Sequence, residues 1–220
     1  MYRGSDVVIK CILTDLAGVF LIGDVNEFFN DVERILSLEN PIDFKASPLS
    51  MDGRLDKGEI SIIDLLKEIT GKEISLKQEN EIINSWTDCF KINNKLAATL
   101  FYYKFSGYKL GVISNTDNIN AKYHISKGKL DVFDKDLIFL SANLGMKKPD
   151  KEIFEYAIEK TLNYCEDINS TDEILYIDDC KENLEIAKEL GMKTYFYDYK
   201  KLDVNFPFDR KLHQFIMNMK

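Results

Sequence analysis

The sequence predicts an α/β fold, a parallel sheet flanked by helices, with a small all-helical module inserted after the first strand. Three features predict it. Short apolar runs that end in polar residues recur along the chain, helical stretches separate the later runs, and one long segment replaces this alternation with helical periodicity. Strands that alternate with helices of this length are joined by crossovers and pair in parallel.

Residues 7–14 form a β-rich apolar run that ends in Asp15 and meets LAGVF, a loop with a glycine hinge. Residues 108–113 repeat the pattern and end in SNTD. Residues 136–140 form a third run, residues 174–177 a fourth that ends in Asp178 and Asp179, and residues 193–197 a fifth that ends in Asp198. Helices are expected over residues 118–126, 151–162 and 181–190, the last closed by Gly191 as its C-cap. The segment 21–95 differs. Phe28, Phe29, Val32, Ile35 and Leu36 recur at helical spacing, as do Leu65, Leu66 and Ile69, and then Ile82, Ile83, Trp86 and Phe90. It is read as a helical cap domain inserted into a core made of residues 1–20 and 96–220. Its one polar, glycine-bearing stretch is MDGRLDKGEIS, in which Ser61 is a candidate N-cap. The tail carries Leu212, Phe215, Ile216 and Met219 on one face of a short helix.

Composition narrows the function. At 220 residues the chain has room for one core and a smaller inserted module. A formal charge of −8 with acidic residues mixed in throughout argues against a nucleic-acid surface, because phosphate backbones need clustered Lys and Arg. No apolar run approaches the ~20 residues needed to span a bilayer, and no signal peptide is recognised, so a cytoplasmic protein without membrane association is expected. Cys11, Cys89, Cys165 and Cys180 show no CxxC spacing and are expected as reduced thiols. With only His124 and His213 present, a histidine-rich zinc site is not expected.

In open parallel sheets, ligands bind at the carboxyl ends of strands, so polar residues directly after the apolar runs are the ones to question. Four places stand out: Asp15, Ser114 with Asn115, Lys148 before Pro149, and Asp178 with Asp179. Each alone has an ordinary reading as a turn or a helix cap. Taken together and in this order, TDLAGV, VISNTD, KKPDKEIF and LYIDDCKEN resemble the four motifs of the haloacid dehalogenase superfamily. Those are a strand ending in DxDG(T/V), a strand ending in Ser or Thr, a Lys just before Pro, and a strand ending in DD or GD. The resemblance is strongest to the subgroup of sugar-phosphate phosphatases and the phosphatase domain of soluble epoxide hydrolases. There SNT, GMxKP and DDxxxN recur in the same order, matched here by residues 114–116, 145–149 and 178–183, and GEIS at 58–61 resembles a cap segment.

That resemblance implies a Rossmann-like core with a helical cap, and a Mg²⁺-dependent phosphatase acting on a small phosphorylated metabolite such as a sugar phosphate. It implies Asp15 as the nucleophile that forms an aspartyl-phosphate, Ser114 as a donor to a phosphoryl oxygen, and Lys148 as the balancing charge. The metal would be held by Asp15, the backbone carbonyl of Ala17 and Asp179. Asp178 would orient the loop or add to the metal shell, and Asn115 and Asn183 would support the phosphate and metal. Arg54 and Lys57, in the loop 52–59, point to an anionic or polyhydroxyl substrate.

One position departs from the family pattern. Ala17 stands where most of these phosphatases carry a second Asp that protonates the leaving group and then activates water. Losing a general acid–base group forfeits about 10²–10⁴-fold in rate unless another group substitutes. The departure keeps other readings open: a non-catalytic metabolite-binding protein, a phosphonatase using Lys45 or Lys57 as a Schiff-base lysine, or a dehalogenase.

Overall fold

The computed structural model describes residues 8–40, 53–202 and 206–219. Val7, Lys45 and Asp52 lie outside the described residues. In chain order the elements are β1 (Cys11–Thr14), β2 (Leu21–Gly23), α1 (Val25–Leu36), α2 (Ile62–Thr70), α3 (Leu76–Asp88), β3 (Phe90–Ile92), α4 (Asn94–Phe105), β4 (Lys109–Ser114), α5 (Asn118–Ser126), β5 (Ile138–Leu140), α6 (Ser141–Leu144), α7 (Lys151–Tyr164), β6 (Ile174–Asp178), α8 (Lys181–Glu189), β7 (Lys193–Phe196) and α9 (Arg210–Met217).

All four residues of β1 are buried, as a strand covered on both faces requires. It pairs in parallel with β4 on one side and β6 on the other, and the sheet runs β5-β4-β1-β6-β7. Side chains alternate across it. Ile12, Leu175 and Ile177 join one core with residues of α4 and α9, whereas Cys11, Leu13 and Tyr176 join a second core with residues of α7 and α8. The chain builds outward from β1 to β4 and β5, then returns to β6 and β7 on the other side. The order reverses at β1, the place where an open α/β sheet leaves a crevice for a ligand.

β1 is shorter than the apolar run 7–14 suggests, because pairing begins only at Cys11, where Lys109 and Ile174 lie opposite. The helix α4 has no counterpart in the sequence reading. Its apolar residues surround the helix, with Leu96 and Leu100 buried but Phe101 and Phe105 exposed, so no single stripe announces it.

The insert has its own core, built from Phe28, Val32, Leu36, Leu65, Leu66 and Ile82. Ser61 caps α2, and its capping box with Asp64 satisfies two backbone donors at the helix start. At the insert's two ends, β2 and β3 pair antiparallel. Contacts tie the insert to α5: Trp86 Nε1 donates to Asp117 Oδ2 at 2.8 Å and Tyr123 donates its hydroxyl to Asp88 at 2.6 Å. Among the described residues no helix is long and apolar enough to cross a membrane, and all four cysteines are free thiols.

Candidate active site

Asp15, Ser114 and the pair Asp178–Asp179 sit at the carboxyl ends of the three central strands, and Lys148 reaches them from the loop before α7. Lys148 is 4 % exposed. Its ammonium has three protons and three acceptors: Asp15 Oδ1 at 2.8 Å, Asp178 Oδ2 at 2.8 Å and the Tyr176 hydroxyl at 3.0 Å. Burial alone would lower the lysine pKa, but the two carboxylates outweigh it and hold the pKa above its ordinary value. Lys148 is therefore charged at neutral pH.

The two carboxylates that Lys148 bridges have different surroundings. Asp178 is saturated. Its Oδ2 takes Lys148, the Tyr176 hydroxyl and Asn183 Nδ2 at 3.0 Å, and its Oδ1 takes the Cys180 amide at 2.7 Å. Tyr176 stays protonated and able to donate, because burial and then the Asp178 and Asp15 charges push its pKa well up. Asp15 is half open: Oδ1 takes the Leu16 amide at 2.6 Å and Lys148, while Oδ2 accepts nothing among the described residues. Its pKa is pushed up to about 6, chiefly by burial, with Lys148 opposing and Asp178 adding.

Carboxylate oxygens of Asp15, Asp178 and Asp179 lie within 4.8 Å of one another. Three carboxylates against one ammonium leave a net negative cluster, and burial followed by the Asp178 charge raises the Asp179 pKa too. Hard oxygen donors with unbalanced negative charge suit a divalent cation such as Mg²⁺. Gly18 makes the approach possible. Its φ is +86°, and a Cβ there would come within 2.2 Å of Asp179 Oδ2.

Ser114, fully buried at the end of β4, lines a cavity together with Asn115 and with Leu16 and Ala17, the residues that follow Asp15. The Asn115 side chain is already engaged, donating to the Lys148 carbonyl at 2.9 Å and accepting from the Lys148 amide at 2.7 Å. It thus fixes the lysine loop, while Asn183 fixes Asp178; neither has its side-chain amide directed only at a ligand. Arg54 forks onto Glu68, with its two nitrogens at 3.2 and 2.6 Å, and does not line the cavity; nor does Lys57.

The cavity measures about 260 Å³. Its apolar wall comes from Leu21, Val25, Leu55, Trp86 and Phe90, and its polar wall adds Asp56, Asp117, Asn120 and His124. Sequence reasoning missed these last four and Tyr176. Tyr176 had a usable signal, since it lies two residues before Asp178 and so shares its face of the strand. Asn120 and His124 lie on α5 and become part of the site only because the insert docks over that helix.

A sequence profile of haloacid dehalogenase-like hydrolases matches residues 9–191. The chain belongs to this family. Drimenol cyclase drtB of Aspergillus calidoustus is 31% identical over 96 residues, 42% of this chain but only 16% of that protein's length. D-Ribitol-5-phosphate phosphatase of Bacteroides thetaiotaomicron is 26% identical over 151 residues, 64% of this chain and 68% of the relative. A haloacid dehalogenase family enzyme from the same bacterium, solved as a magnesium complex, superposes with a TM-score of 0.70 at 26% identity, covering 86% of this chain and 93% of that one. This hydrolase therefore shares its overall fold with that enzyme.

Proposed function

We propose that this hydrolase is a Mg²⁺-dependent phosphatase that removes the phosphoryl group of a small organic phosphate through an aspartyl-phosphate on Asp15. The observation that carries the reading is the half-open Asp15 at the sheet's crevice: one oxygen is held by Leu16 and Lys148, and the other accepts nothing among the described residues. A carboxylate so fixed can attack phosphorus, which splits the hydrolysis into two displacements. Ser114 would donate to a phosphoryl oxygen and Lys148 would offset the charge of nucleophile and phosphate, so that positioning and neutralisation do most of the work. Asp15, the Ala17 carbonyl and Asp179 would hold Mg²⁺, with Asp178 behind them as the anchor of Lys148. Bound there, the metal would neutralise developing charge on the phosphoryl oxygens.

The insert would act as a cap that closes the cavity and chooses the leaving group. The cavity volume suits a substrate of a few carbons beyond the phosphate, and a relative acts on D-ribitol 5-phosphate. Asn120 Oδ1 and His124 Nδ1 are buried without hydrogen-bond partners among the described residues and offer polar contacts to substrate hydroxyls. A polyol or sugar phosphate fits these features. The acidic chain with free thiols fits a reducing cytoplasm. The test is a panel of polyol, sugar, nucleotide and aryl phosphates with and without Mg²⁺. Metal-dependent release of phosphate and an acid-stable, base-labile phosphoenzyme are expected; absence of both from every substrate rejects the reading.

Two expectations concern the metal. Asp179→Asn removes one charged oxygen ligand and should raise the Mg²⁺ concentration for half-maximal activity by at least about tenfold. An unchanged titration would move that role elsewhere. The second expectation is pH dependence. Because the Asp15 pKa is raised to about 6, the contribution of Asp15 to the stability of the metal-free protein is fullest below the unfolded value near 3.8 and is lost as pH rises through about 6. Mg²⁺ competes with that proton, so the rise in Tm on adding Mg²⁺ should be small at pH 5 and grow above pH 6. Equal shifts at pH 5 and pH 8 would contradict the assignment.

A further inference from the structure

Three titratable side chains line the cavity among the described residues: Asp56, Asp117 and His124. Two of them are poorly suited to move a proton to substrate. Asp117 is the N-cap of α5, and four donors occupy its carboxylate: the Ile119 and Asn120 amides at 2.9 and 3.2 Å on one oxygen, and Trp86 Nε1 and Asn120 Nδ2 at 2.8 and 3.1 Å on the other. His124 is buried against Phe90, and burial, with Lys129 adding, pushes its pKa down to about 4, so it is a neutral imidazole at working pH.

Asp56 differs in both respects. Its carboxyl accepts no hydrogen bond and forms no ion pair among the described residues. Yet its backbone is held in place against the core. The Ser141 hydroxyl, which accepts from the Thr116 amide at 2.9 Å, donates to the Asp56 carbonyl, and Asn118 Nδ2 donates to the Gly58 carbonyl at 3.0 Å. Gly58 sits so close to α6 that a Cβ would meet the Ala142 carbonyl at 2.7 Å, with φ at +72°. The loop therefore docks Asp56 on the core segments that follow β4 and β5, and Asp56 and Ala17 line the same cavity.

We infer that Asp56 is the proton donor and acceptor of the hydrolysis, serving the ester oxygen from the cap side where Ala17 offers no acid. The inference rests on the phosphatase reading above. Burial raises the Asp56 pKa above its ordinary value; Lys147 opposes this, Asp117 adds to it and Lys148 opposes it. In the first displacement an Asp15 oxygen bonds to phosphorus and the bond from phosphorus to the ester oxygen breaks. The Asp56 proton passes to that oxygen, so the product leaves as a neutral alcohol. In the second, a water oxygen bonds to phosphorus while its proton passes to the Asp56 carboxylate. The bond to Asp15 breaks, phosphate departs, and both carboxyls return to their starting states. Because Asp56 belongs to the docked loop, proton transfer is available only with that loop in place.

The experiment compares the parent protein, Asp56→Asn and Asp56→Asn/Ala17→Asp on glycerol 3-phosphate and 4-nitrophenyl phosphate at saturating Mg²⁺. Asp56→Asn should slow glycerol phosphate turnover by about 10²–10⁴-fold. First-turnover release of nitrophenolate, which leaves without a proton, should change by less than about tenfold. One equivalent should then appear as a burst, because the phosphoenzyme accumulates when water is not activated. The double variant should recover glycerol phosphate turnover. Equal losses on both esters without a burst, or an effect confined to KM, would show Asp56 to be a packing or specificity group only. A parent protein that releases no nitrophenolate and forms no phosphoenzyme overturns the phosphatase reading itself, and this inference with it.

Discussion

Asp15→Asn should abolish turnover and phosphoenzyme formation while leaving the fold intact, if Asp15 is the nucleophile proposed above. The amide keeps the shape of the carboxyl but cannot attack phosphorus, and the next carboxylates in the crevice are Asp178, which four donors saturate, and Asp179, at the end of a different strand. A loss of at least about 10⁴-fold is expected, in line with removal of other covalent nucleophiles. Stability should hold or improve. At neutral pH the ionised Asp15 carries the burial penalty that raises its pKa to about 6, and an amide carries no such penalty. Thermal unfolding therefore separates a chemical lesion from an unfolded protein. Retention of even a tenth of the parent rate would reject Asp15 as the nucleophile.

Lys148→Met should be the most destabilising single change at the site. The methionine fills much of the same volume but leaves Asp178, fully buried, and Asp15 without their cation. Removing one partner of a buried pair costs about 3–5 kcal/mol, since the remaining charge stays desolvated. In a chain of this size that corresponds to a drop in Tm of roughly 6–20 °C. Asp15 also loses the group that opposes its upward shift, so the pH at which it ionises moves above about 6. A second substitution, Asp178→Asn, removes the stranded charge and should restore part of the lost stability. Denaturation of the single and double variants measures this coupling directly. If Lys148→Met cost less than about 1 kcal/mol and Asp178→Asn added its own loss independently, Lys148 would not be the centre of the charge network.

The residue pattern by itself determined the class of fold and the carboxyl ends of its central strands. Buried parallel strands must be continuous apolar runs, and whatever polar residue follows such a run must lie at the sheet's rim; Asp15, Ser114 and Asp178 are legible for that reason. Helices with one apolar face, such as α1 and α2, were legible too, whereas α4 was not, because both of its faces carry apolar side chains. What each polar residue does was decided only by three-dimensional packing. Asp178 and Asp179 are neighbours in sequence, yet one turns inward to Lys148, Tyr176 and Asn183 and the other faces Gly18. Arg54 reads as a substrate-facing charge, but the fold brings Glu68 to it from α2. The cavity joins residues separated by long stretches of chain, from Asp56 in the insert to His124 on α5. No periodicity encodes such a meeting. It arises because the insert must cover its apolar surface against the core, and the polar residues caught at that junction, Asp56 among them, become the lining of the site.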